Sequence, residues 1–258
     1  MTASIATDTA TDATARTGAA TPQAVATPAA PAEGTLSLEE FAAVNDRRAR
    51  SYALLSRLFH EEVDAELLDS LHAMRFPAKT GDARSDEGNR LVAGYLSNVW
   101  GGTLQELAVD YARCFIGGGS DAFSAAYPYE SVYTSPRRLM MQEARDEVLA
   151  IYRSEGYEKA PTWKESEDHV AAELEFVGAL ATRTAEALRA GDEAEAARLL
   201  RVQRGFLADH LYAWTGMLTA DMRMYARTDF YKGLAGMLDG LLETDREMLD
   251  AVLGAEED

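Results

Sequence analysis

Two short stretches hold most of the side chains able to do specific polar chemistry. Tyr127-Pro128-Tyr129-Glu130-Ser131-Val132-Tyr133 puts tyrosines around a carboxylate, and Glu165-Ser166-Glu167-Asp168-His169 puts carboxylates beside an imidazole. Pro128 disfavours a helical residue before it. If the first stretch is extended, Tyr127, Tyr129 and Tyr133 fall largely on one side. Such a surface can accept an apolar helix while Glu130 receives a cation; the same tyrosines serve equally well to anchor a loop to the core. Asp168 and His169 stand at the start of a helix, where an acid is favoured by the dipole and a histidine beside acids tends to keep its proton. Plain N-terminal capping explains the pair too. Glu173, four residues after His169, shares its face and fits either a local ion pair or the edge of a polar pocket. A metal between His169 and Glu173 needs ligands from elsewhere.

Most catalytic readings fail on spacing. The histidines are His60, His72, His169 and His210, with no His-Glu-x-x-His pair. The residues three before them are Arg57, Asp69, Ser166 and Leu207, so the Glu-x-x-His repeats of a di-iron bundle are missing. There is no Gly-x-Ser-x-Gly elbow or dinucleotide fingerprint. Gly117-Gly118-Gly119 suits a loop, and no Gly-Lys-Ser/Thr follows to make it a phosphate cradle. Cys114, the single cysteine, lies on an apolar helix face and excludes an internal disulfide and a thiolate zinc cage. Phe206, His210 and Trp214 step by four, as a core stripe with one hydrogen-bonded histidine does. The residues offer no complete catalytic set, and no cofactor or metal is expected.

The formal net charge of -18 opposes binding to nucleic acid or anionic membranes and suits a positively charged partner. No apolar run approaches the roughly 20 residues that span a bilayer. A single cysteine agrees with a reducing compartment, so a cytoplasmic protein is expected.

The elements that must position these residues read as helices throughout. Residues 1–35 are rich in Thr and Ala, with Pro22, Pro28 and Pro31, and are expected to be a disordered tail. Ser37 and Glu40 form a capping box ahead of a stripe at Phe41, Val44, Tyr52, Leu55 and Phe59. Helices follow over 64–74, 86–99 and 104–115. Ser135-Pro136 can start the helix that carries Met140, Met141, Ala144, Val148 and Ile151, with Gly156 stopping it. A long helix begins near Ser166, with a stripe at Val170, Leu174, Val177, Ala181, Thr184 and Leu188. Helices over 193–214 and 217–225 come next. The last starts at Asp229, as cap, and buries Leu234, Met237, Leu241 and Met248. The expectation is an all-α fold of about ten helices, residues 36–252, in two lobes (36–153 and 166–252) around a hinge at 154–165. Such a hinge permits a monomer or an exchange of halves in a hinge-swapped dimer.

Four motifs together resemble the TorD/DmsD/NarJ family of redox-enzyme maturation chaperones. They are Tyr111-Ala-Arg-Cys-Phe-Ile-Gly117, Tyr127-Pro-Tyr-Glu-Ser-Val-Tyr133, Glu165-Ser-Glu-Asp-His169, and His210-Leu-x-x-Trp214 with Thr228-Asp-Phe-Tyr231. They follow the family order over about 40–245. The third departs from the family's Glu-Pro-Asp-His, since Ser166 and Glu167 stand before Asp168. The resemblance implies an all-helical cytoplasmic chaperone without enzymatic activity. Its partners would be the twin-arginine signal peptide and the immature catalytic subunit of a molybdopterin oxidoreductase, held for cofactor insertion before export. By carry-over, Tyr129, Glu130, Ser131, Asp168 and His169 bind the client, with Tyr127, Tyr133 and Glu173 beside them. Glu130 and Asp168 would receive arginines. Two other readings are an assembly factor of the nitrate-reductase type for a leaderless subunit, and a helical enzyme dependent on metal or nucleotide.

Overall fold

A computed structural model describes residues 36–254 except Arg75, Ala78 and 118–123. The expected tail at 1–35, Gly118-Gly119 and the acidic end at 255–258 lie outside these. The α-helices are α1 (Leu38–His60), α2 (Ala65–Ala73), α3 (Ala83–Leu96), α4 (Thr103–Tyr111), α5 (Glu130–Thr134), α6 (Glu143–Ser154), α7 (Val170–Arg189), α8 (Glu193–Phe206), α9 (Tyr212–Tyr225) and α10 (Asp229–Leu253). No named strand occurs among the described residues, and the fold is all-α.

Local chemistry sets the helix ends. The capping box closes as expected, with Ser37 N donating to Glu40 Oε2 at 2.8 Å and Glu40 N to Ser37 Oγ at 3.3 Å. Gly156, at φ 80°, ends α6, and Tyr157 N reaches back to Tyr152 O at 2.8 Å. Asp192 caps α8, its Oδ1 accepting from Glu195 N at 3.0 Å.

Five boundaries differ from the sequence reading, the helix expected over 86–99 being α3, which starts at Ala83 behind the cap Asp82 and ends at Leu96. Residues 135–142 are a loop, and α6 starts at Glu143 rather than at Ser135-Pro136. The helix expected over 104–115 is α4 running into a π-turn at Ala112–Ile116. The helices expected over 193–214 and 217–225 are one unbroken helical run, α8 to α9, through a π-turn at Leu207–Leu211. Thr228, not Asp229, caps α10. Its Oγ1 donates to Asp110 Oδ2 at 2.7 Å, and its N–H does the same at 2.7 Å.

Packing puts helices from both sides of 154–165 into one hydrophobic core. Its members include Tyr52 and Phe59 of α1, Leu174 and Val177 of α7, and Leu234 and Leu238 of α10. α1 lies along α7 and α3 along α10. The expected two-lobe division is therefore not seen in the packing, and the described chain is one compact unit. The 154–165 segment is fastened at both ends. Tyr157 meets Phe176 edge-on with centroids 5.5 Å apart, and Trp163 stacks on His60 at 3.8 Å.

The α7 stripe is buried as its spacing foretold. On α1 the buried row also takes in Asn45 and Arg48. Arg48 there forms a two-pronged ion pair with Asp245 of α10, one prong Nη2 to Oδ2 at 2.6 Å. Tyr52 donates to the same carboxylate at 2.7 Å. This pair fixes the face of α10: Leu234, Leu238, Leu242 and Leu249 are buried, while Met237, Leu241 and Met248 sit at the margin.

α3 and α10 approach closely because Gly88, Gly233 and Gly236 face one another. A Cβ on Gly88 would come within 2.5 Å of Met237 N and 2.7 Å of Gly233 O. Backbone cannot yield as a side-chain tip can, so overpacking there costs about 1–3 kcal/mol or more. A Cβ on Gly94, in the same helix, would meet nothing within 4 Å. Urea denaturation is expected to show Gly88→Ala less stable by that amount. Gly94→Ala should be more stable by up to about 1 kcal/mol from helix propensity.

Candidate functional site

The two motif stretches meet through a single antiparallel β-bridge between Tyr129 and His169. Glu130 N donates to Asp168 O, and Val170 N to Pro128 O, both at 2.9 Å. The bridge sets the first turns of α5 and α7 side by side. α5 is only five residues long and has no side-chain cap of its own. Asp168 supplies one from across the bridge, its Oδ2 accepting from Ser131 N at 3.1 Å. Its other oxygen accepts from Ser166 Oγ. Asp168 thus caps α5 rather than its own helix. The cap of α7 is His169, whose Nδ1 accepts from Ala171 N at 3.1 Å.

The structure brings Tyr129, Glu130, Ser131, Asp168, His169 and Glu173 together, but inside the protein. Glu130 is 3% exposed, and Asp168 and Glu173 are 0% exposed. Glu130 and Asp168 are turned into the fold, away from solvent. Burial of a carboxylate demands a partner, and each finds one within the chain. His210 Nδ1 lies 3.0 Å from Glu130 Oε2, so the histidine of the expected core stripe is the partner of Glu130. Trp214 Nε1 donates to Glu173 Oε2 at 3.2 Å. Burial and then the charges of Glu130 and Asp168 push the Glu173 carboxyl well above its usual range, favouring the neutral acid. Tyr129 donates to Glu165. Glu167 is held by Arg145 at 2.7 Å and Lys159 at 3.2 Å.

The π-turn at Leu207–Leu211 sits where His210 must reach Glu130. A π-turn of this kind re-aims side chains within a continuous helix, and no sequence period announced it. His169 also departs from expectation. Burial first, then the charge of His60, lowers its imidazole to about 3, so it is neutral rather than protonated.

Tyr127 and Tyr133 alone of the candidate residues reach the surface in part. Tyr133 stacks on Trp214 at 5.5 Å and donates to Asp221 Oδ2 at 3.0 Å. Asp221 belongs to α9, between the exposed Met217 and Met224, at the i, i+4, i+7 spacing of one helix face. Tyr127, Tyr133, Arg138, Asp221, Met224 and Tyr225 border a groove of about 250 Å³. Asp221 and Met224 were not among the sequence candidates. Their spacing beside the buried face of Leu218 and Met222 was the available signal. A second hollow, about 190 Å³, lies between 157–163 and α7, floored by Tyr157, Trp163 and Phe176.

Among the described residues no cluster of His, Cys, Asp and Glu could hold a metal ion, and no helix is long and apolar enough to cross a membrane. Cys114 is fully buried and its thiol is pushed up by burial, which leaves it a packing residue. Buried, internally paired carboxylates lie behind a rim of half-buried tyrosines and exposed methionines in an all-α fold. Residues 82–220 match the profile of the family described as nitrate reductase delta subunit, more than half of the chain, and the protein belongs to that family. The four motifs indicated the same group. Similar proteins include the chaperone protein TorD of Photobacterium profundum, 25% identical over 82% of this chain and 98% of its own length. That of Vibrio cholerae is 26% identical over 83% and 96%, and that of Aliivibrio fischeri 28% over 82% and 99%.

The neutral His169 has a measurable consequence. Unfolding exposes an imidazole that takes a proton below about pH 6.5. The folded chain then binds fewer protons than the unfolded one down to the folded value of about 3, so this group's contribution is lost as pH falls. Glu173 acts in the opposite sense, since its raised carboxyl contributes stability that is lost as pH rises. Subtraction isolates the histidine: Asn at 169 can still cap α7. The unfolding free energy of the wild type minus that of His169→Asn should fall by up to about 1.4 kcal/mol per pH unit between about pH 6.5 and 4.5. A difference independent of pH would mean that His169 carries its proton in the fold.

Proposed function

We infer that this protein is a maturation chaperone for a molybdopterin oxidoreductase, acting in the cytoplasm and recognising a client leader in which paired arginines precede an apolar segment. The reading rests on similarity to TorD chaperones along nearly their whole length. It is supported by the chemistry of the rim. An acidic protein with half-buried tyrosines and exposed methionines around Asp221 suits a segment that is first basic and then apolar. In this reading the buried cluster does not touch the client. Asp168 and His169 hold the starts of α5 and α7, and thereby fix Tyr133 opposite Asp221.

A second reading is an assembly factor for a leaderless subunit, favoured by the description of the matching family. Binding separates the two. A leader with paired arginines from a molybdopterin oxidoreductase of the same organism should bind the purified chaperone at micromolar strength or better in titration calorimetry, about -8 kcal/mol. Asp168→Ala should weaken it about tenfold, because it leaves Ser131 N–H and Ser166 Oγ without their acceptor and loosens α5. Capture of a catalytic subunit lacking a leader, with no heat from any leader, would instead establish the second reading.

A further inference from the structure

The loop between α5 and α6 has a composition unlike its surroundings. Arg137-Arg138-Leu139-Met140-Met141 is two cations followed by three apolar side chains, on a chain of net charge -18. The apolar three are not packed away: Leu139 is 53% exposed, Met140 43% and Met141 63%. Exposing such side chains in a row is costly in water unless they contact something. The backbone is also unusual. Arg138 has φ 50° and Met141 φ 57°, the left-handed region that non-glycine residues seldom enter. Conformations of this kind persist where neighbouring structure enforces them, and they cluster at clamps and switches.

The neighbouring structure is the site already described. Gln142 N donates to Ser131 Oγ at 3.0 Å, and Ser131 N is in turn held by Asp168, so the base of the loop is tied to the buried cluster. Arg137 bonds the side chain of Gln142, and Arg138 N donates to Ser135 O at 3.1 Å. These contacts turn the loop back over α5. The guanidinium of Arg138 then lies over the Tyr133 ring, 6.0 Å from its centroid. That ring's hydroxyl is the one bonded to Asp221. Arg138 also borders the groove between α5 and α9, with Met224 across from it.

We propose that the chain masks its own client groove: the Arg137–Met141 loop is an internal likeness of a basic-then-apolar client segment, and Arg138 occupies over Tyr133 the place that a client arginine takes. The occupant follows from charge complementarity, since a guanidinium already lies over the Tyr133 ring, 6.0 Å from its centroid, in a groove that Asp221 also borders. A client binds by displacing the loop, and the left-handed residues make the masked loop easier to release. This inference rests on the leader-recognition reading for its biological meaning, but the masking itself can be measured without any leader.

The probe is a synthetic peptide of residues 134–142, titrated into the full-length wild type, Arg137→Gln/Arg138→Gln, and Asp221→Asn. Masking predicts that the double variant binds this peptide about fivefold more tightly than the wild type, as loss of one exposed cation–π competitor allows. Adding Asp221→Asn to the double variant should remove that gain. Equal or weaker binding by the double variant, or binding by neither protein, overturns the proposal. The client leader is titrated in parallel. If it also gains about fivefold in the double variant, groove and client site coincide. Leader binding unchanged by the double variant overturns the shared-site claim. If no leader binds any form while the loop peptide still discriminates, the client reading fails and self-masking stands.

Discussion

Two backbone hydrogen bonds across the Tyr129–His169 bridge join stretches that lie far apart in the chain, and the polar centre of the molecule is built on that crossing. A five-residue helix has little stability alone, because nucleation costs more than so few hydrogen bonds return. α5 exists because Asp168 caps it from the neighbouring segment and because α9 supports its other side. α7 starts at the same crossing with His169 as its cap. The direction of Tyr133, the footing of the 135–142 loop and the burial of Glu130 all follow from this one junction.

Around the junction the protein keeps several ionisable groups out of water. A buried charge without a partner is far more costly than any single hydrogen bond gains, so each group had to find its complement. Glu130 meets His210, Glu173 meets the Trp214 indole, and Asp168 meets Ser131 and Ser166. The same solution recurs midway along α1, where Arg48 and Tyr52 donate to Asp245 and Asn45 Oδ1 accepts from Arg48. Such pairs contribute little net stability, but removing one partner strands the other. They therefore select one register of α10 against α1 and one placement of α9 against α5 more strongly than apolar contacts do.

The polar residues are thereby divided between inside and outside. The residues that stood out by chemical type are buried and bonded to one another or to neighbouring helices. The rim of the groove between α5 and α9 is made from ordinary-looking tyrosines, methionines and one aspartate. Met side chains adapt to varied apolar surfaces, whereas the tyrosines are held rigidly by their hydroxyl partners. A rigid aromatic wall beside a yielding methionine edge suits a partner defined by its pattern of charge and hydrophobicity.

The sequence by itself determined the helical class, the capping box at Ser37, the α7 stripe, the stop at Gly156, the absence of catalytic spacing and the family. All of these are local or periodic properties that need no knowledge of neighbours. It also picked out residues that do converge, from Tyr129 to Glu173. Only the tertiary structure decided that these converge inward, because burial depends on which faces meet. It likewise turned His169 from a protonated histidine into a neutral cap and rotated the buried row of α10. It placed a π-turn under His210 and made 135–142 a loop. Each of those outcomes comes from contacts between segments distant in the chain, Glu130 with His210, Arg48 with Asp245, Gln142 with Ser131, whose energies outweigh the local preferences that the sequence displays.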